Sequence, residues 1–140
     1  MRHMKMISSK TNQKFEVKND SGKMIFDSSE PKSAGGNGKY PRPTELLLGA
    51  LGSCLNVTIC SIAEREGYKI DSLKVIISTD VETKGVINEQ IKDGFYNMKI
   101  KFDMQSNIPV SKQEQFLQKC LTACPVHSVV ENPTNIEWDY

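Results

Sequence analysis

Apolar and polar residues alternate along two long segments of the chain. In the stretch 96–104 every second residue is apolar, and Leu73 to Val81 shows the same period of two. This alternation is typical of strands with one buried and one solvated face. The charged stretch between them, Lys84 to Asp93, is predicted to be a surface loop. The two segments therefore predict a largely antiparallel sheet with one wet face.

The first forty residues show shorter strand patterns. Phe15 and Val17 alternate with charged residues, the segment 24–26 is apolar, and the residues Asn19 to Gly22 between them are typical of a turn. This pattern predicts a hairpin. Met4 and Met6 indicate one further strand before it.

A long helix is predicted from about Thr44 to Glu66. Pro43 suits the first turn of a helix, and Gly67 suits its end. Apolar residues point in nearly every direction around its axis, which predicts a central helix buried on most sides. The uncharged stretch 46–63 reaches the length of a membrane span, but it contains Gly, Ser and Asn. We interpret it as a helix buried in protein.

A second helix is predicted after Pro109. Ser111 and Glu114 have the spacing of a capping box at its start. Pro125 must kink this helix or begin a new one, because its ring removes a backbone hydrogen bond. After Asn132–Pro133, the apolar residues Ile136 and Trp138 suggest a closing strand. The order of elements predicts the α+β class.

Length and charge limit the organisation and the partners. A chain of 140 residues predicts one domain, residues 1–140, with the Ser-, Gly- and Pro-rich stretch 28–43 as a flexible loop. The formal net charge is +1, and the lysines are spread along the chain. We therefore expect neither nucleic acid nor a membrane as a partner. Apolar residues are somewhat scarce for a monomer of this size, which fits a homodimer.

The motifs for nucleotide and metal chemistry are missing from the sequence. No glycine-rich phosphate loop follows a strand, and no His-Glu-x-x-His motif is present. What is left is thiol chemistry at four cysteines: Cys54, Cys60, Cys120 and Cys124. Cysteines are sparse in the chain and its first ten residues contain no apolar signal stretch, which favours a reducing cytoplasm. We expect no cofactor.

The helical positions of the cysteines restrict how they can pair. Cys60 lies about 240° around an ideal helix from Cys54, so these two cannot bridge within one helix. Cys120 and Cys124 are four residues apart, a spacing that suits a disulfide poorly. A pair of Cys54 and Cys124 has to be tertiary. Two alternatives stay open: each cysteine alone is most often a small buried hydrophobe, and Cys120, Cys124 and His127 with Cys54 could form a zinc site.

Two motifs together resemble a known family. The stretch 43–54, Pro-Thr-Glu-Leu-Leu-Leu-Gly-Ala-Leu-Gly-Ser-Cys, is followed about seventy residues later by Cys124-Pro125-Val126. This combination resembles the OsmC/Ohr family of osmotically inducible and organic hydroperoxide resistance proteins, in its OsmC-like branch. The resemblance implies an α+β OsmC-like fold in which two chains intertwine into a homodimer and the cysteines lie near the subunit interface.

The resemblance also implies an activity, that of a thiol peroxidase in oxidative stress defence. Cys54 matches the peroxidatic cysteine, which attacks organic hydroperoxides or hydrogen peroxide and becomes a sulfenic acid. Cys124 matches the resolving cysteine, which converts the sulfenic acid to a disulfide that an external dithiol reduces. Cys60 and Cys120 match no family motif and are expected to pack.

The chain departs from the family pattern at the residues that would support Cys54. A glutamate stands ten residues before the peroxidatic cysteine in the best-characterised peroxidases, whereas Thr44 stands there and Glu45 follows. Glu45 is expected to face away from Cys54. Arg42 is the best substitute for the family's thiolate-stabilising arginine. An alternative function is therefore a catalytically weak dimer that binds a small molecule or lipid, with structural cysteines.

Overall fold

The computed structural model describes all residues, 1–140, and they divide into two compact units, Met1–Gly49 and Ala50–Tyr140. The order of elements agrees with the predicted α+β class, with antiparallel sheets and three helices. The prediction of one domain is not decided by this division, and each unit is described by itself.

The first unit contains a three-stranded antiparallel sheet. Its strands are β1 (Ile7–Lys10), β2 (Glu16–Asp20) and β3 (Ile25–Ser29), in that order across the sheet. The predicted hairpin is β2–β3, and Gly22 occupies its turn with a φ of 81°, a conformation that favours glycine. The earlier strand begins at Ile7, after Met4 and Met6. The predicted loop 28–43 holds the end of β3 and a 3-10 turn, Lys32–Ala34.

The long helix α1 (Pro43–Arg65) starts in the first unit and continues into the second. Gly67 follows it with a φ of 76°, as expected of a residue that ends a helix. Its bounds differ by one residue at each end from the prediction. By length and composition it could also cross a membrane. Its five buried residues form one stripe along a single face: Leu51, Leu55, Ile59, Ile62 and Ala63.

The single chain buries α1 along one face, not on most sides as predicted. Val57 is 66% exposed, and Cys60 and Ser61 are exposed on the same side. A second face of the helix, which carries Ser53, Val57, Cys60 and Ser61, is therefore uncovered in the single chain.

The second unit pairs two thirteen-residue strands, β4 (Ile70–Glu82) and β5 (Gly94–Ser106), in antiparallel register. Inward residues face one another across the pair, as at Val75 and Phe102. The outer face is solvated, as the alternation predicts. The loop between the strands contains a 3-10 turn, Lys84–Val86, whose Val86 is exposed.

Two shorter helices complete the second unit. α2 (Val110–Ala123) is followed by α3 (Pro125–Glu131), so Pro125 begins a new helix. The predicted capping box is wrong: α2 starts directly after Pro109 with no side-chain cap, which places Ser111 inside the first turn. The closing strand is also wrong, because residues 132–140 pair with no strand and Trp138 is 83% exposed.

The core of the second unit consists of two clusters. The thiol cluster contains the buried residues Leu51, Leu55 and Cys124, with Cys54 packed against them. The aromatic cluster contains the buried residues Ile59, Ile62, Ala63, Ile108, Phe116 and Cys120, and the Tyr68 ring meets the Phe116 ring edge-on at 6.0 Å. Both clusters lie between the helices and the inner face of β4–β5.

Candidate functional site: a pair of thiols

Cys54 lies in the middle of α1 and is partly exposed. Its neighbour Gly52 faces β4, where a Cβ atom at this position would lie 3.6 Å from Cδ1 of Ile77, an ordinary contact distance. Asn56 donates a hydrogen bond from its side chain to the Gly52 carbonyl at 3.0 Å. The helix therefore packs against β4 at Gly52, two residues before Cys54.

Cys124 occupies the junction of α2 and α3 and is fully buried. It ends α2, with its N–H donating to the Leu121 carbonyl at 3.3 Å. It also caps α3, because its Sγ accepts the backbone N–H of His127 at 3.4 Å. Its extended backbone, at φ −82° and ψ 114°, allows both roles, and Pro125 suits the first helical position that follows.

The fold brings Cys54 and Cys124 together, although seventy residues separate them. Both belong to the thiol cluster, and both are free thiols. Burial raises the pKa of the Cys124 thiol, and the adjacent Cys54 side chain raises it further, whereas the His127 N–H lowers it. Cys124 is therefore held as a neutral thiol beside a more accessible one.

The shell around the two thiols is apolar and comes from distant parts of the chain. Partly buried side chains of β4 and β5 supply one wall, and α2 and α3 supply another. The alternating pattern of the two strands indicated which of these residues face inward, but not that they face the cysteines. They are Val75, Ile77, Met98, Ile100, Phe102, Leu121 and Val126.

The other two cysteines lie apart from this pair. Cys60 is exposed on the uncovered face of α1. Cys120 is buried in the aromatic cluster, and burial raises the pKa of its thiol to about 11. No group of three or more His, Cys, Asp or Glu side chains is arranged to hold a metal ion, which counts against the alternative of a zinc site.

The predicted supporting residues are engaged within the first unit. The Glu45 carboxylate accepts the backbone N–H of Arg42 at 2.9 Å, which satisfies a free donor at the start of α1. The Arg42 guanidinium lies 3.8 Å from the Glu30 carboxylate, and both side chains are partly exposed. Thr44 is half-buried in the first turn of α1. The partner of Arg42 in this structure is thus a carboxylate.

His127 is the residue whose contribution the sequence did not reveal. The sequence suggested it only as a possible zinc ligand. In the structure its backbone N–H donates to Sγ of Cys124, and its imidazole lies 3.8 Å from the Glu131 carboxylate. The sequence feature that indicates this hydrogen bond is the Cys124–Pro125 pair. Proline favours the first position of a helix, so the residue before it is the N-cap. Cap geometry would have identified His127 as the donor.

A known protein family matches most of the chain. The profile of the family described as OsmC-like protein matches residues 36–139. An uncharacterised protein of Bacillus subtilis, YmaD, is 33% identical over 69 residues, which are 49% of this chain and only 42% of YmaD.

Solved structures of low sequence identity share the fold. An OsmC-like protein from Mycoplasma pneumoniae superposes with a TM-score of 0.79 at 15% identity, over 94% of this chain and 89% of that one. An organic hydroperoxide resistance protein from Elizabethkingia anophelis superposes with a TM-score of 0.68 at 17% identity, over 95% and 91% of the two chains.

Proposed function

The chain belongs to the OsmC-like protein family, and from this premise we propose that it is a thiol peroxidase for organic hydroperoxides or hydrogen peroxide. The observation that carries the proposal is the adjacency of Cys54 and Cys124 in one apolar cluster. Some relatives of the same fold are named organic hydroperoxide resistance proteins, which supports the same class of substrate.

The proposed cycle needs only the two thiols, a peroxide and an external dithiol. The Cys54 thiolate attacks one oxygen of the O–O bond, the bond breaks, and an alcohol or water leaves while Cys54 becomes a sulfenic acid. The Cys124 thiol then displaces the hydroxyl as water and forms a disulfide. A dithiol is oxidised to its own disulfide and returns both cysteines to thiols.

Burial supports this division of roles. Cys54 is partly exposed, so a peroxide reaches its sulfur more easily than that of Cys124, which is 0% exposed. Because burial also raises the pKa of Cys124, this thiol stays protonated at neutral pH and does not compete as the first nucleophile. It is held beside Cys54, where a resolving cysteine must be.

A second candidate function is a dimer that binds a small molecule or lipid, with the cysteines as apolar packing. It is favoured by the pairing of Arg42 with Glu30 and by the use of Glu45 on the backbone of Arg42. These groups already have partners, and a thiolate without a cation forms less readily. Native mass spectrometry of the purified protein tests this candidate, because it predicts a bound apolar molecule and no peroxide consumption.

We further propose that the protein is a cytoplasmic homodimer. The exposed face of α1 offers Val57 and small side chains for packing against a second chain, and four free cysteines suit a reducing compartment. Sedimentation equilibrium is expected to give twice the mass of the chain at micromolar concentration. A monomer mass under those conditions would contradict the dimer.

The peroxidase proposal is tested by dithiol-dependent peroxide consumption. Cys54→Ser is expected to lower the rate to the background of the buffer, because it removes the attacking sulfur. Cys60→Ser on the same helix is the matched control, since Cys60 is exposed and lies outside the thiol cluster. Peroxide consumption by Cys54→Ser at the rate of the control would disprove the proposal.

A further inference from the structure

The segment 134–140 alternates polar and apolar side chains but pairs with no strand in the single chain. Glu137 and Asp139 lie between its apolar residues and are both acidic. A period of two is the pattern of a strand with one buried face, so the apolar row of this segment lacks the surface that would cover it. The apolar residues are all exposed: Ile136, Trp138 and Tyr140.

β5 has a free edge with a matching pattern. It pairs with β4 on one side only, and that pairing is regular along 99–105. Lys99 and Lys101 lie on its exposed outer face. An unpaired strand edge is a template for one further strand. The inward row of β5, which packs against the thiol cluster, consists of Met98, Ile100 and Phe102.

The segment and the β5 edge are complementary in both apolar side chains and charge. Each has one central apolar residue, Trp138 or Ile100, with a charged residue on either side. When these two residues lie opposite one another, both acidic residues of the segment fall opposite the two lysines, whether the strands run parallel or antiparallel. Opposite charges across a strand pair are favourable and like charges are not. The lysines therefore disfavour a second β5 at this edge and favour an acidic strand.

We propose that residues 134–140 add as a strand to the free edge of β5 in a second copy of the chain, with the acidic side chains beside Lys99 and Lys101. The single chain leaves the segment and the edge unpaired, although both belong to the second unit. Two copies can exchange their segments reciprocally, which gives an isologous contact closed by a twofold axis. The inference rests on the proposed homodimer, to which it assigns a contact apart from the exposed face of α1.

Trp138 is the only tryptophan in the chain, so its fluorescence reports the position of the segment. Acrylamide quenching is expected to be weak where sedimentation equilibrium gives a dimer, and to increase when dilution separates the copies. A dimer whose Trp138 is quenched as strongly as in the urea-unfolded chain would overturn the inference and leave the homodimer standing. A chain that stays monomeric at every concentration would overturn both.

Charge reversal distinguishes pairing with a second copy from pairing within one chain. The double variants Glu137→Lys/Asp139→Lys and Lys99→Glu/Lys101→Glu each place like charges opposite one another. We expect each variant alone to expose Trp138 and to raise the dimer dissociation constant about tenfold, because attraction becomes repulsion at both pairs of each segment.

The matched control carries the same change in net charge away from this contact. Glu89→Lys/Glu114→Lys alters two exposed carboxylates that form no ion pair, and should keep the quenching and the dissociation constant of the parent protein. A loss in this control equal to that of the two charge variants would overturn the assigned contact, because net charge alone would then explain it.

An equimolar mixture of the two charge variants decides the identity of the partner. In a mixed dimer a basic segment meets an acidic edge and an acidic segment meets a basic edge. We therefore expect the weak quenching of Trp138 and the parent's dissociation constant to return on mixing. Pairing within one chain would leave the mixture as strongly quenched as each variant alone. That result, or charge variants that keep the parent's quenching, would overturn the inference.

Discussion

The thiol cluster and the aromatic cluster each enclose one cysteine from the α2 region, but in different surroundings. Cys124 has a second thiol beside it and a backbone N–H on its sulfur. Cys120, one helical turn earlier, lies among Ile59, Ile62 and Phe116 in the other cluster. Burial alone therefore does not distinguish Cys124, the proposed resolving cysteine, from Cys120, which we expect only to pack. The difference lies in the neighbouring thiol and in the hydrogen-bond donor.

The largest expected difference between the clusters is chemical. Cys124→Ser is expected to abolish the intramolecular disulfide and to leave a sulfenic acid on Cys54 after peroxide treatment, because the resolving sulfur is gone. Cys120→Ser is the matched variant on the same segment and should still form the disulfide. Dimedone labelling with peptide mapping measures both. Equal dimedone labelling of the two variants would remove the distinction between the clusters.

Stability is expected to depend more on the aromatic cluster. Phe116 is buried and meets Tyr68 edge-on, so Phe116→Ala should lower the free energy of unfolding by about 3–5 kcal/mol. Leu55→Ala in the thiol cluster should cost about 2–5 kcal/mol and also open space beside Cys124. Urea unfolding measures both costs. A loss below about 1 kcal/mol in Phe116→Ala would contradict its place in the core.

The smallest expected effect concerns the pH dependence of stability. Burial raises the pKa of Cys120 from the ordinary 9.0 to about 11, so the unfolded chain loses this proton first as the pH rises. The stabilising contribution of the protonated thiol is complete below about pH 9 and decreases by about 2 kcal/mol towards pH 11. Urea unfolding at both pH values should show a smaller decline in Cys120→Ala. The same decline in both proteins would contradict this origin.

Local signals predicted the elements well. Pro43 and Gly67 marked the ends of α1, because one suits a first helical turn and the other adopts a left-handed conformation. The start of α2 was less clear. α2 begins at Val110 with Pro109 as its N-cap, two residues before Ser111, so the Ser111 spacing was misleading. The alternation of apolar and polar residues in β4 and β5 correctly predicted which of their residues face inward.

Features that depend on distant partners were harder to predict. Ile136 and Trp138 have a strand pattern, but a strand also needs a neighbouring edge, and the pattern does not contain one. The partner of Arg42 was missed for the same reason, because Glu30 lies earlier in the chain, just after β3. The family motifs singled out Cys54 and Cys124, whereas the apolar shell around them emerges only when the sheet packs on the helices.

We propose that Cys54 and Cys124 form one redox pair. The most direct measurement is disulfide mapping of the reduced protein after one equivalent of an organic hydroperoxide. We expect a single disulfide between Cys54 and Cys124, with Cys60 and Cys120 still free. A disulfide at any other pair, or four free thiols after the peroxide is consumed, would contradict it.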